Sequence, residues 1–294
     1  MDWIIPFGST GLEVSRIGLG AGQVGSEDLD DAEAGRLLNA VIDSGVVLID
    51  TARGNGLSEE RIGSHLSHRR AEFVLSTKIG YGVEGLSDWT PEIIGAGIDR
   101  ALKLMKTDVL DVVHLHSCPL KTLKNSGVPE ALLKAREGGK IRVAAYSGEN
   151  EELGWAVSSG LFGSVQTSVN VCDQLSLRRY LPIAAQKGLG VIAKRPIANA
   201  PWRFAERPKG DYAEEYWVRL RAMDIDPGDL TWQELAVRFS AYAAGVCSAI
   251  VGTSSLSHFL TNVEYARKGP LPPEMTGRIL SAYDRENRSW LGQV

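Results

Sequence analysis

The sequence predicts an α/β fold, a (β/α)8 TIM barrel with an N-terminal β-hairpin, with residues 1–294 forming one barrel domain. Three observations predict it. Strand-like and helix-like stretches alternate along the whole chain, which is the signature of βα units. Most of the strand-like runs are nearly continuously apolar, as parallel strands covered on both faces are. Three successive runs end in different titratable residues: Val46–Ile49 runs into Asp50, Phe73–Thr77 into Lys78, and Leu110–Leu115 into His116. In a parallel barrel the carboxyl ends of the strands carry the loops that build the site, so this repetition places a carboxylate, an amine and an imidazole at one mouth.

The elements follow in order. Gly8, Gly11 and alternating apolar positions over 3–15 predict a short hairpin ahead of the barrel. Strands are expected near 16–20, 46–50, 72–78, 109–116, 141–147, 163–168, 189–194 and 247–251. Helices are expected near 31–44, 58–68, 91–105, 127–138, 150–158, 177–187, 231–244 and 255–267. Ser58 before Glu59-Glu60, and Thr90 before Pro91-Glu92, read as helix-starting caps. Gly45, Gly139, Gly160 and Gly188 follow helix ends, where a left-handed stop is needed. The stretch 195–230, rich in Pro, Trp and Arg, is long for a barrel loop and is expected to be functional or locally structured. An open doubly wound sheet would need Gly-x-Gly-x-x-Gly after its first strand. Gly18-Leu19-Gly20-Ala21-Gly22 lacks that spacing, and no break divides the repeats, so the closed barrel is favoured.

Composition narrows the function. An apolar share of 44% over 294 residues suffices for a large core. The net charge is −4, and Arg69-Arg70 and Lys121/Lys124 are only short basic pairs, so no nucleic-acid partner is expected. Apolar runs are of strand length, well below a membrane span. The start Met1-Asp2-Trp3 lacks the charged and apolar regions of a signal peptide. Cys118, Cys172 and Cys247 are far apart and odd in number, which fits a reducing cytoplasm, and no Cys/His spacing suggests a metal site.

Taken singly, Asp50 could cap a helix, Lys78 could be an exposed lysine, and His116 could be a hydrogen-bonded core histidine. Together, at the same end of neighbouring strands, they read as one site in which an Asp–Lys pair tunes the acidity of a neighbouring acid.

The chain resembles the aldo-keto reductases over essentially its whole length. The matching segments are Thr10–Ser15, Asp50-Thr51-Ala52, Leu57-Ser58-Glu59, Ser76-Thr77-Lys78, Asp111–His116, Gly139–Arg142 with Tyr146-Ser147-Gly148, and Val251–Ser254. Each is weak alone; their order and spacing are specific. The resemblance implies a (β/α)8 barrel that binds an extended nicotinamide dinucleotide without a Rossmann domain and reduces carbonyls to alcohols. It also implies a tetrad of Asp, Tyr, Lys and His. Asp50, Lys78 and His116 match three members, while the tyrosine position corresponds to Asn55. An amide can donate a hydrogen bond to a developing oxyanion but cannot deliver a proton near neutral pH. Losing general-acid catalysis costs about 10² to 10⁴ in rate. Three accounts of Asn55 stay open: an engineered change, a natural one in which His116, Tyr81 or a water supplies the proton, or a relative that binds the dinucleotide without turnover, as a redox sensor or partner subunit.

For the cofactor, the resemblance points to Ser147, Gln166 and Asn170 near the nicotinamide carboxamide. Lys194 or Arg195 stands where the family often has a stacking aromatic, and a planar guanidinium can stack. Gly252, Thr253 and Ser254 precede the last barrel helix, whose first amides suit a phosphate. Asn262 matches an adenine contact. Ser254 is uncharged and His258 lies where an arginine is common. Those are weak partners for a 2′-phosphate; NADP, the family default, is the dinucleotide the resemblance implies, with NAD as the alternative. The expected partner is a small carbonyl or alcohol substrate. Trp89, Tyr81 and Trp202, with His114, Cys118 and Phe204, are the candidates for the rim of its pocket.

Overall fold

The computed structural model describes residues 2–287 and 289–294; Met1, part of the start read above, lies outside the described residues with Arg288. A two-stranded antiparallel hairpin, β1 (Ile4–Pro6) and β2 (Glu13–Ser15), precedes the main sheet, with Ile4 opposite Ser15. The sheet is a closed parallel barrel of β3 (Ile17–Gly20), β4 (Leu48–Asp50), β5 (Val74–Ile79), β6 (Leu110–His116), β7 (Ile141–Ser147), β8 (Ser164–Ser168), β9 (Gly190–Lys194) and β10 (Ser248–Gly252). It closes where β10 pairs with β3, Ala249 against Ile17 and Gly252 against Gly20. The (β/α)8 barrel and its hairpin are as the sequence predicts.

The helices are α1 (Asp31–Asp43), α2 (Ser58–Leu66), α3 (Pro91–Leu104), α4 (Leu120–Asn125), α5 (Val128–Glu137), α6 (Asn150–Ser159), α7 (Leu175–Arg179), α8 (Leu181–Gln186), α9 (Glu214–Met223), α10 (Trp232–Ala241), α11 (Leu256–Arg267) and α12 (Pro273–Glu286). The segment 195–230 is locally structured, as expected: it contains α9, whose Tyr216, Leu220 and Met223 bury in one cluster with residues of α10 and α12. Elsewhere the structure departs from the sequence reading. The single helix expected over 177–187 is two, α7 and α8, meeting at Tyr180. Pro182 sits in the first turn of α8 and has no N–H to continue the ladder. Helix α12 was not expected, although Met275, Ile279, Ala282 and Tyr283 form a buried stripe at helical spacing. Of the two proposed caps, Thr90 occupies the N-cap position of α3, with Pro91 and Glu92 in the first turn but no side-chain cap hydrogen bond, whereas Ser58 is the first residue of α2 instead. The four glycine stops hold, with φ of +77°, +76°, +78° and +70° at Gly45, Gly139, Gly160 and Gly188.

Strand alternation divides the core into two shells. Ile49, Leu75, Val113, Leu115, Ala144, Val165, Val191 and Val251 face outward against the helices. Leu48, Val74, Val112, Val143, Ile192 and Ile250 face inward and fill one end of the barrel, together with Phe7, Leu12 and Val14 of the hairpin. Phe7 is fully buried, and its ring lies under Gly190 so closely that a Cβ there would come within 2.7 Å. The hairpin thus plugs the end where the strands start. Further along the same inward rows the residues turn polar. Among the described residues, no helix is long and apolar enough to cross a membrane.

Candidate active site

Six inward-facing side chains, Asp50, Ser76, Lys78, His114, Ser147 and Gln166, make a buried polar network. Lys78 Nζ lies 2.5 Å from Asp50 Oδ2 and donates to the Thr51 carbonyl at 2.8 Å. Asp50 Oδ1 accepts from Ser76 Oγ at 2.7 Å and from Gln166 Nε2 at 3.0 Å. Ser147 Oγ donates to Gln166 Oε1 at 2.9 Å. His114 Nε2 lies 3.1 Å from Ser76 Oγ. The expected Asp–Lys pair is therefore formed, and Gln166 and Ser147 belong to the same network. Every member but Lys78 is at most 2% exposed, and Lys78 is 6% exposed, so water does not screen the pair.

His116 sits one level higher, at the end of β6. Its Nδ1 is 2.6 Å from the hydroxyl of Tyr81, which comes from the loop after β5, and the two rings are 5.5 Å apart. Burial, with Lys78 and Lys194 nearby, pushes the imidazole down to about 3, so the ring is neutral near neutral pH. Burial raises the Tyr81 phenol, while the Arg53 guanidinium and the Gly54 amide pull the other way. Trp89 packs against Tyr81 with ring centres 6.3 Å apart.

Asn55 lies on the loop between β4 and α2, which is fixed from below. Thr51 Oγ1 donates to Ser58 Oγ at 2.7 Å, and Thr77 Oγ1 donates to the buried carboxylate of Glu59 at 2.9 Å, which Arg100 also engages at 2.9 Å. Ser58 and Glu59, read above as a helix start, instead tie this loop to β5. The loop also packs on the backbone of the segment after β3: a Cβ on Gly25 would come within 1.6 Å of the Asn55 carbonyl. The Asn55 side chain points towards Gly22, its amide nitrogen 3.7 Å from where a Cβ on that glycine would lie.

A cleft of about 880 Å³ opens on that side. Gly20, Gly22 and Gln23 line it from β3, Asp50 and Asn55 from β4, and Gly252 from β10. The remaining wall is the loop after β9, with Arg195, Asn199, Arg203 and Tyr212. Arg195 Nη1 donates to Ser168 Oγ at 3.4 Å and to the Gln293 carbonyl. Lys194 does not line the cleft wall; it is 3.2 Å from Glu149, a buried carboxylate also held by Thr167 and Ser168. Burial lowers the pKa of the Lys194 ammonium below its ordinary value. At the start of α11, Ser255 caps His258, and Thr253 accepts from the Ser255 amide. Gly252, Ser254 and His258 are exposed there. Asn262 is buried, accepting from Gln233 and donating to the His258 carbonyl at 2.8 Å each. Asn170 donates to the Arg195 carbonyl at 3.0 Å.

Four rim candidates are elsewhere. His114 is fully buried inside the barrel, because β6 alternation points it inward below His116. Cys118 is fully buried in the outer core, where desolvation pushes its thiol up to about 12. Trp202 stacks on Trp232 of α10, centres 5.9 Å apart and 12° from parallel, so it packs the long loop onto the barrel. Phe204 lies beneath the Arg203 guanidinium and receives the Trp217 indole N–H on its carbonyl. Sequence reasoning missed Glu149, Gln23, Asn199 and Tyr212, which lie in loops without a motif. Among the described residues, no cluster of His, Cys, Asp and Glu could hold a metal ion.

Comparison with known proteins agrees with this geometry. Residues 16–284 match the model of the aldo/keto reductase family. The chain is 35% identical to the probable voltage-gated potassium channel subunit beta of Arabidopsis thaliana, over 90% of this chain and 91% of that protein. It is 29% identical to D-threo-aldose 1-dehydrogenase of a Pseudomonas species, over 88% and 91%. The structure of the aldo-keto reductase AKR11C1 from Bacillus halodurans, in its holo form, superposes with a TM-score of 0.82, covering 95% of each chain at 24% identity. The polar network at the carboxyl ends of the strands is thus housed in an aldo-keto reductase-like oxidoreductase, and the chain belongs to the aldo/keto reductase family.

Proposed function

We propose that this protein is an NAD(P)H-dependent oxidoreductase that reduces an aldehyde or ketone to an alcohol, or runs the reverse reaction. The observation that carries it is the buried Lys78–Asp50 pair, 2.5 Å apart at the bottom of a mouth shared with His116. A fixed ammonium in a dry site favours negative charge developing on a carbonyl oxygen, and needs no reorganisation to do so. The Asp50 carboxylate, locked by Ser76 and Gln166, holds that ammonium in place.

The cleft fits a nicotinamide dinucleotide. Its volume is in the range of cofactor sites. Its floor is backbone at Gly20, Gly22 and Gly252, and a Cβ on Gly252 would come within 2.5 Å of Gln23 Oε1. When bound, the dinucleotide supplies hydride. Gly252, Thr253 and Ser254 at the start of α11 take its phosphate, Arg195 lines the nicotinamide side, and Asn262 with Gln233 sits at the adenine side. Ser147 and Gln166 would orient the carboxamide end through the hydrogen bond they share, with Asn170 beside them on the Arg195 carbonyl, and Lys194 would add positive charge from the Glu149 side. NADP is the dinucleotide of choice. His258 supplies only a weak partner for a 2′-phosphate, so NAD is the competitor, and His258→Arg shifts preference towards NADPH. In this reading Asn55 stands where the family's acid tyrosine is expected.

A second reading is a dinucleotide-binding subunit without turnover. The 35% identity to a protein named as a potassium channel subunit favours it. Fluorescence titration with NADPH and NADH, followed by their oxidation in the presence of an aldehyde panel, separates the two. Binding in the micromolar range with aldehyde-dependent oxidation supports the reductase. Binding without oxidation by any carbonyl supports the subunit. No quenching by either nucleotide, with the protein folded, removes both.

A further inference from the structure

We propose that Tyr81, paired with His116, is the proton donor of this site, replacing from the loop after β5 the acid that the β4 loop lacks; this rests on the reductase reading above. Three observations carry it. The Tyr81 hydroxyl and His116 Nδ1 are 2.6 Å apart, joining a phenol to the residue at the end of β6. The phenol also reaches the loop that carries Asn55: a Cβ on Gly54 would lie 3.0 Å from the Tyr81 oxygen, so Gly54 leaves it room. Asn55 itself turns its amide to Gly22 and lines the cleft, and the hydroxyl within hydrogen-bond distance of His116 is that of Tyr81.

Neither alternative near His116 has a free proton to give. The imidazole is neutral at working pH, and Lys78 is engaged by Asp50 and the Thr51 carbonyl. The Tyr81 ring is held by Trp89 on one side, and Trp89 is itself fixed by the hydrogen bond its backbone N–H donates to the Gly80 carbonyl at 2.9 Å. Gly80 permits this, since a Cβ there would come within 2.2 Å of the Trp89 ring. A phenol so packed keeps one position, which proton transfer needs.

The step balances as follows. Hydride forms a new C–H bond at the carbonyl carbon, and the C=O π pair moves to oxygen. That oxygen takes the Tyr81 proton, giving the alcohol. The phenolate left behind accepts the N–H of His116 Nδ1, with Nε2 unprotonated in that tautomer. Solvent returns the proton after the alcohol leaves. In the alcohol-oxidising direction each transfer is reversed.

The test uses the full chain with three measurements: Tyr81→Phe and His116→Ala turnover with a reactive aldehyde, dinucleotide binding by fluorescence, and ¹⁵N-imidazole NMR of His116 without cofactor. Tyr81→Phe keeps the ring and its packing on Trp89. It is expected to lower kcat by about 10²-fold or more, as loss of a general acid does, with nucleotide Kd unchanged. It is also expected to shift the His116 nitrogen resonances, because Nδ1 loses its partner. Turnover within threefold of the parent overturns the proposal and leaves the reductase reading standing. An unshifted His116 resonance overturns it too, since the pair would not form in solution. A parent protein that binds NADPH and reduces no aldehyde sinks the reductase reading and this proposal with it.

Discussion

Lys78 and Asp50 show how far a single residue's meaning depends on its surroundings. A buried ion pair is weak evidence for stability, because desolvation offsets most of the attraction. Here its worth lies in an ammonium held at a fixed point by a carboxylate that two further donors, Ser76 and Gln166, hold in turn. His114 is the residue whose position the sequence misjudged most, and its burial has a measurable consequence. Desolvation depresses it to about 4, whereas in the unfolded chain it titrates near 6.5. Between those values the unfolded state binds the extra proton, so stability is lost as pH falls through that window. His116, at about 3, acts in the same direction; Asp173, raised by burial to about 7, opposes them by holding its proton when folded. Urea unfolding is expected to show a smaller loss between pH 7 and pH 5 in His114→Asn than in the parent, by about 2 kcal/mol. Equal losses in the two proteins would mean that His114 is not buried neutral.

At the scale of elements, the site is built from loops whose ends are fixed by buried polar residues. Thr51, Ser58, Thr77 and Glu59 fasten the β4–α2 loop, and Glu149 fastens Thr167, Ser168 and Lys194 after β7, β8 and β9. The loop after β9 takes an unusual course: Arg195, Ala198, Asn199 and Ala200 all have φ between +47° and +58°. Non-glycine residues enter that region at a cost, and such strain gathers at functional loops. The Asn199 amide, which donates to the Tyr212 carbonyl at 2.8 Å, ties the turn to the segment that walls the cleft. The β4–α2 loop offers the sharper test. Gly25→Ala would drive a methyl into the Asn55 carbonyl, 1.6 Å from the ideal Cβ position, and backbone cannot rotate away. The expected result is at least a tenfold loss in NADPH affinity. Unchanged affinity in a folded variant would argue that this loop does not border the dinucleotide.

The whole molecule separates chemistry from stability along the barrel axis. The end where the strands start is filled by inward apolar side chains and closed by the hairpin through Phe7, Leu12 and Val14. The opposite end is polar and carries the cleft. Phe7→Ala is therefore expected to cost about 3–5 kcal/mol, as aromatic truncations in cores do, while nucleotide affinity at 25 °C stays within twofold. A large affinity loss with stability unchanged would reverse that division of labour. The closed ladder from β3 round to β10 is what lets the two ends differ, since it leaves no sheet edge to protect.

Much of this was legible in the residues themselves. The barrel, its hairpin and the alternation of strands and helices are local patterns of apolar spacing, and local spacing is what a sequence displays. Asp50, Lys78 and His116 were legible for the same reason, since each ends a strand and parallel strands share one mouth. The break at Pro182 and the stripe of α12 were also written in the chain, although they were not read from it. What only tertiary structure decided is which side of a level or loop each group faces. His114 and Cys118 belong to the same strand and loop as His116, yet burial takes both from the rim. Ser58 and Glu59 look like a helix start and serve as fastenings, because partners 7 and 18 residues away in sequence meet them in space. Tyr81 reaches His116 across 35 residues. Such contacts depend on the shear and twist of the closed barrel, which no single stretch of sequence encodes.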